Sequence, residues 1–211
     1  MKHSQSSLAI TITTRLNVHV NIQWQWFCEP ATKHLGIQLE SGTAHLCPYK
    51  ASRLIPLYPL QASLTTDEAQ LFQEFTECLE EVSPLIETSI QQPCNSDWVQ
   101  AAGLNLLIIQ RFGRPQLPQS WYFQEALIAE QTQQELKLGA LVQLNSGLQQ
   151  GLCVVLQQDG EFAECMVLGA EFVLSDVKTL RQFDVFKVMI NRLQRGPHET
   201  HADGSPTLRL A

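Results

Sequence analysis

The sequence predicts a mixed α+β fold: a sheet-and-helix domain followed by a small, twisted, barrel-like β domain closed by a helix. Three observations point there. Leu16, Val18, Val20, Ile22, Trp24 and Trp26 alternate with polar residues, the period of a strand with one buried face. Leu71, Phe72, Phe75, Cys78, Leu79 and Val82 recur at spacings of three and four, the period of an amphipathic helix. From Phe123 onward, short apolar runs return at intervals of roughly ten residues with turn residues between them, as in a small sheet or barrel.

Residues 1–15 are polar and patternless and read as a disordered extension. A first domain then spans residues 16–122. After the Leu16–Trp26 strand, Glu29-Pro30-Ala31-Thr32 turns the chain and Leu35, Ile37 and Leu39 alternate again. Ser41-Gly42 marks a hairpin into a short strand near Thr43–Cys47. A loop with Pro48, Pro56 and Pro59 leads to Thr65-Thr66-Asp67-Glu68, the residue spacing of a capping box. The helix it opens is expected to end before Pro84, where a second short helix begins. Ser96, as N-cap, starts a further helix, apolar nearly all round and so buried; Gly113 in left-handed conformation and Pro115 end it.

The β-rich domain covers residues 123–195. Its strands are expected at Ala126–Ala129, Ala140–Leu144, Leu152–Leu156, Phe162–Leu168 and Phe172–Leu174, with turns at Asn145-Ser146-Gly147, Asp159-Gly160 and Gly169. Phe186, Met189, Ile190 and Leu193 suggest a closing helix over Phe183–Leu193, stopped by Gly196-Pro197. Residues 196–211 read as a flexible tail.

Composition narrows the function. With 44% hydrophobic residues the 211-residue chain can bury a core, and a net charge of −7 argues against a nucleic-acid surface. The apolar start is broken by Thr11 and Thr13, a poor signal peptide, and the apolar helix after Ser96 is too short and interrupted to span a bilayer. The six cysteines show no C-x-x-C pair; they are expected to be reduced and metal-free in a cytoplasmic protein. Between Arg53 and Arg111 there is no lysine or arginine, while Asp67, Glu68, Glu74, Glu77, Glu80, Glu81, Glu87 and Asp97 fall in that stretch.

Catalytic motifs are lacking: no G-x-S-x-G, phosphate loop or G-x-G-x-x-G. His198-x-x-His201 offers two imidazoles without a third ligand, so a solvated tail rather than a metal site is expected there. Trp24 and Trp26 share a strand face that is either core or the wall of a peptide groove; Ile37 carries the same two readings. Arg111 fits a helix carboxyl cap, whereas Arg114 lies beyond the glycine. Lys178, Arg181, Lys187, Arg192 and Arg195 form a locally basic run.

Leu104-Asn105, Leu107 and Arg111, followed by Pro115-Gln116-x-Pro118-x-Ser120-Trp121-x-Phe123, resemble the ZapC family of FtsZ-associated cell-division proteins. Asn21–Trp26 and Lys187–Leu193 carry the same resemblance. It implies a pocket in the first domain, a barrel-like second domain, and a cytoplasmic, non-enzymatic, cofactor-free factor acting at the Z ring. Such a protein binds FtsZ, promotes lateral association of its protofilaments and lowers its GTPase activity. The partner is expected to be the FtsZ C-terminal tail, which is acidic with an apolar segment, met by Ile37, Arg111, Arg114, Gln119 and Trp121 of a monomer. Basic residues surround the proline-rich motif in such proteins; here Arg114 is present but Gln119 is neutral. Two other classes remain open: a small-molecule-binding or enzymatic protein using the first domain's pocket, and a structural homo-oligomer.

Overall fold

The computed structural model describes residues 24–28, 35–39, 44–46, 62–113, 117–126 and 136–197. The architecture is mixed α+β. Strands β1 (Gln25–Cys28), β2 (Leu35–Gln38), β3 (Ala44–Leu46) and β4 (Ala62–Ser63) form an antiparallel sheet in the order β3-β2-β1-β4. Only the end of the expected first strand falls among the described residues; positions 16–23, the turns near Pro30 and Ser41, and the proline loop lie outside them. Trp26 pairs with Ile37, and both side chains are fully buried.

Helix α1 (Thr66–Ile90) starts on the anticipated capping box: Thr65 accepts from the Glu68 amide, and the Glu68 carboxylate accepts from the Thr65 amide. It does not stop at Pro84. Proline deprives the Glu80 carbonyl of its usual donor, but the Ser83 hydroxyl donates to that carbonyl at 2.9 Å, and the helix runs through to Ile90. A single 25-residue helix therefore replaces the two expected.

Helix α2 (Ser96–Phe112) is buried over most of its circumference, as its apolar sequence requires. Its N-cap is Asn95 rather than Ser96, with the Asn95 side chain accepting from the Trp98 amide at 3.0 Å. Gly113 is extended (φ −62°, ψ 138°), not left-handed. Glycine is needed there for closeness: an added Cβ would sit 2.3 Å from the Ile109 carbonyl oxygen.

The second half is built on β5 (Leu141–Asn145), β6 (Gln150–Asp159), β7 (Phe162–Val167), β8 (Glu171–Ser175), β9 (Lys178–Arg181), β10 (Val185–Met189) and β11 (Gln194–Arg195). Five of these form one antiparallel sheet in the order β10-β7-β6-β5-β11, and β8 and β9 form a separate hairpin. The expected turns at Gly147 and Gly160 occur, both at positive φ (84° and 58°), which glycine adopts without penalty. Ala126 is not in a strand; its amide donates to the Asn191 carbonyl, and residues 127–129 lie outside the described set.

The closing helix expected over Phe183–Leu193 is absent. That stretch is β10 followed by a 3₁₀ turn at Ile190–Arg192. Val185 through Met189 pair residue by residue with Met166 through Phe162, and alternate side chains enter two different cores. Leu152, Val154, Leu156, Met166, Leu168 and Val185 pack with α1, α2 and the first sheet. Cys153, Val155, Ala163, Cys165, Val167, Phe186 and Val188 line a second core, covered by Phe123 and by Phe172, Leu174 and Leu180 of the hairpin. Among the described residues no helix is long and apolar enough to cross a membrane.

Candidate protein-interaction site

The chain leaving α2 is strapped along the edge of β10. Pro118 forms a parallel bridge with Lys187, the Gln119 amide donates to the Lys187 carbonyl at 2.8 Å, and the Met189 amide donates to the Ser120 hydroxyl at 2.9 Å. Proline contributes no amide here, so the adjacent residues carry the attachment. A 3₁₀ turn (Ser120–Tyr122) follows, and Arg192 donates to the Phe123 carbonyl while pairing with Glu125 at 3.0 Å. This strap buries Ser120 and Phe123 and leaves Leu117 (80% exposed) and Trp121 (71% exposed) in solvent.

The hairpin adjoins it through Lys178. The Lys178 ammonium donates to the Gln119 side-chain oxygen at 2.7 Å and lies 4.7 Å from the centroid of Tyr122. Tyr122 and Trp121 are themselves 5.6 Å apart between ring centroids. Val177, next to Lys178 at the hairpin tip, is 95% exposed. The neutral Gln119 thus holds a cation supplied by a strand 59 residues away in sequence.

The sequence-derived site residues divide sharply. Gln119 and Trp121 are in this strip. Arg111 points elsewhere: it pairs with Glu68 and stacks over Trp26 (5.3 Å) and Phe112 (5.7 Å), tying the end of α2 to the start of α1 and to β1. Ile37 is in the first core, at zero exposure. Arg114 lies outside the described residues. Sequence reasoning noted Lys178 only as a member of a locally basic run and did not link it, Leu117 or Val177 to the proline-rich motif, because a contact between a strap and a distant hairpin leaves no local pattern.

Hollows among the described residues lie away from the strip. A groove of about 1140 Å³ runs along α1, bordered by Glu74, Glu77, Glu81 and Glu87 with Cys78, Cys94 and Lys137. A smaller one of about 350 Å³ lies between the end of α1 and the β5–β6 and β7–β8 turns. Ile37 lines neither. Burial and the neighbouring Glu87 push the Cys94 thiol up to about 12. Burial, reinforced by Glu81, Glu74 and Glu77, also raises Cys78, and burial raises Cys153 and Cys165. His45, sheltered against Asn105 at 3.4 Å, is held below the usual histidine range by burial. Cys78, Cys94, Cys153 and Cys165 are free thiols, and among the described residues no cluster of three metal-ligating side chains occurs.

Comparison with known proteins converges on one family. Residues 17–113 match the family described as Cell-division protein ZapC, N-terminal, and residues 115–199 match Cell-division protein ZapC, C-terminal. The chain is 36% identical over 170 residues to the cell division protein ZapC of Idiomarina loihiensis, covering 81% of this chain and 86% of that protein. It is 31% identical to ZapC of Shewanella frigidimarina, covering 82% and 90% of the two chains. To ZapC of Aeromonas hydrophila it is 27% identical, covering 85% and 93%. The chain therefore belongs to the ZapC family of cell-division proteins.

Proposed function

We propose that this protein is a non-enzymatic, cytoplasmic factor of the division septum that binds FtsZ, promotes lateral bundling of its protofilaments and lowers its GTPase activity. The observation that carries the reading is the match to both parts of the ZapC family, over residues 17–113 and 115–199. The exposed strap agrees with it: an apolar, partly cationic surface on a rigid sheet suits protein docking better than catalysis.

In this reading the five-stranded sheet and the β8–β9 hairpin, curled round the second core, act as a barrel-like platform for the strap. Gln119, Trp121 and the neighbouring Arg114 meet the FtsZ C-terminal tail, while Ile37 and Arg111 support the fold beneath. The protein acts as a monomer and needs no cofactor. Co-sedimentation with FtsZ assembled on GTP tests the proposal. The protein should pellet with the polymer, thicken its bundles and slow GTP hydrolysis. Persistence in the supernatant at both low and moderate salt would overturn it.

A further inference from the structure

We infer that residues 1–15 dock back on their own molecule, in the acidic groove along α1. The groove, about 1140 Å³, is walled by Pro84, Pro93 and Leu138 and bordered by Glu74, Glu77, Glu81 and Glu87. Among the described residues Lys137 is the one cation that lines it. Glu74, Glu77 and Glu87 accept from the neutral amides of Gln70, Gln73 and Cys94, and among the described residues none of the three is paired with a cation. The carboxyl end of α1 adds partial negative charge of its own, with no basic residue in the last turn to offset it. An occupant of this groove must bring positive charge and apolar surface together.

The start of the chain has both. Lys2 and Arg15 lie there, Leu8, Ile10 and Ile12 lie between them, and the first acidic residue of the whole sequence is Glu29. The family match begins at residue 17, so this segment stands outside it. The chain also enters the fold beside α1. The Trp24 carbonyl accepts from the Leu64 amide at 3.1 Å, and the Trp24 ring meets Phe72 edge-on at 5.5 Å. The nine residue steps from Arg15 to Trp24 can span up to about 30 Å. From Glu74 to Glu87 the helix rises only about 20 Å. The groove is therefore within reach. Tethering holds the segment at an effective concentration on the order of millimolar, so individually weak ion pairs suffice. A basic segment of another protein would meet the same groove without that advantage.

The test uses the full chain and a native probe. Cys78, a half-buried free thiol, lines the groove, and its alkylation by iodoacetamide can be followed by peptide mass spectrometry. Leu8→Asp combined with Ile10→Asp should speed that alkylation about fivefold at every salt concentration, the factor expected where the docked form outweighs the open one by about four to one. Lys2→Glu combined with Arg15→Glu should speed it about two- to threefold at low salt, an effect that fades as salt screens the charges. Carbodiimide, which joins amines to carboxylates in contact, should couple Lys2 to Glu74, Glu77 or Glu81 within a single chain. Circular dichroism and melting verify that each variant is folded. Unchanged Cys78 alkylation in both folded double variants would overturn the proposal and leave the groove to a basic segment of a partner. Coupling of Lys2 only to carboxylates away from α1 would overturn it as well. Coupling confined to covalent dimers would assign the groove to the same segment of a second copy, and the intramolecular contact would fall.

Discussion

Glu68 serves three partners with one carboxylate. It accepts from the Thr65 amide at 2.8 Å, from the Trp26 indole at 3.2 Å, and from Arg111. One side chain thus closes the cap of α1 and joins that helix to β1 and to the end of α2. Glu68→Ala removes only the reciprocal half of the capping box, since the Thr65 hydroxyl still caps the amide of residue 68, but it strands the indole N–H of Trp26, a residue with no solvent exposure. An orphaned buried donor costs about 1–3 kcal/mol. Destabilisation of about 1–3 kcal/mol is expected from urea unfolding; a change below about 0.5 kcal/mol, the scale of an ordinary surface substitution, would show that these bonds are incidental. Ile37 belongs to the same neighbourhood, paired with Trp26 on one side and His45 on the other. Its strand alternation could be read from sequence, but alternation alone does not distinguish a groove wall from core. Zero exposure places it in the core.

At the scale of elements, proline chemistry explains both a success and a failure. Pro118, in the strap, bridges to an edge strand, where a missing amide is harmless. Pro84, inside α1, should have ended a helix; Ser83 compensates by donating to the Glu80 carbonyl. That compensation is testable by a double-mutant cycle. Ser83→Ala alone should destabilise by about 1 kcal/mol. Pro84→Ala should stabilise by about 1–3 kcal/mol, since an interior proline costs roughly 3 kcal/mol and its replacement frees the unfolded chain somewhat. In the Pro84→Ala background Ser83→Ala should be nearly neutral, because the alanine amide now serves the carbonyl. Strict additivity would refute the account. The capping box, the buried character of α2 and most of β5 to β8 were legible because each is encoded locally. Strand β10 was not. Val185 faces one core and Phe186 and Val188 the other, so Lys187 is the one polar residue within the strand and the alternation is obscured, while the remaining apolar residues fit helical spacing. Of the candidate site, Gln119 and Trp121 could be read from the proline-rich motif. Lys178 reaches that motif only through the packing of the β8–β9 hairpin, so its place in the site was hidden.

The whole molecule is held by one core that crosses its two halves. The family boundary falls between residues 113 and 115, yet Leu152, Val154, Leu156, Met166, Leu168 and Val185 pack in the same cluster as α1, α2 and the first sheet. The five-stranded sheet is therefore buried on both faces, one by the helices and one by the strap and hairpin. Gln182 reinforces the junction by donating to Gln92 of the α1–α2 connection at 3.1 Å. Removing residues 17–113 would expose six large apolar side chains. At about 1.5–3 kcal/mol each, that is on the order of 10 kcal/mol, comparable to the entire stability of a typical domain. We propose that the halves, although distinct in sequence order, form one cooperative unit. Calorimetry of the full chain should give a single transition with calorimetric and van't Hoff enthalpies in agreement. The isolated 115–199 fragment should lack a cooperative melt and expose apolar surface to a hydrophobic dye. Two resolved transitions, or a fragment that melts sharply on its own, would show that the shared core binds two independently stable bodies instead. That outcome would also let the strap and hairpin be studied apart from the helices beneath them.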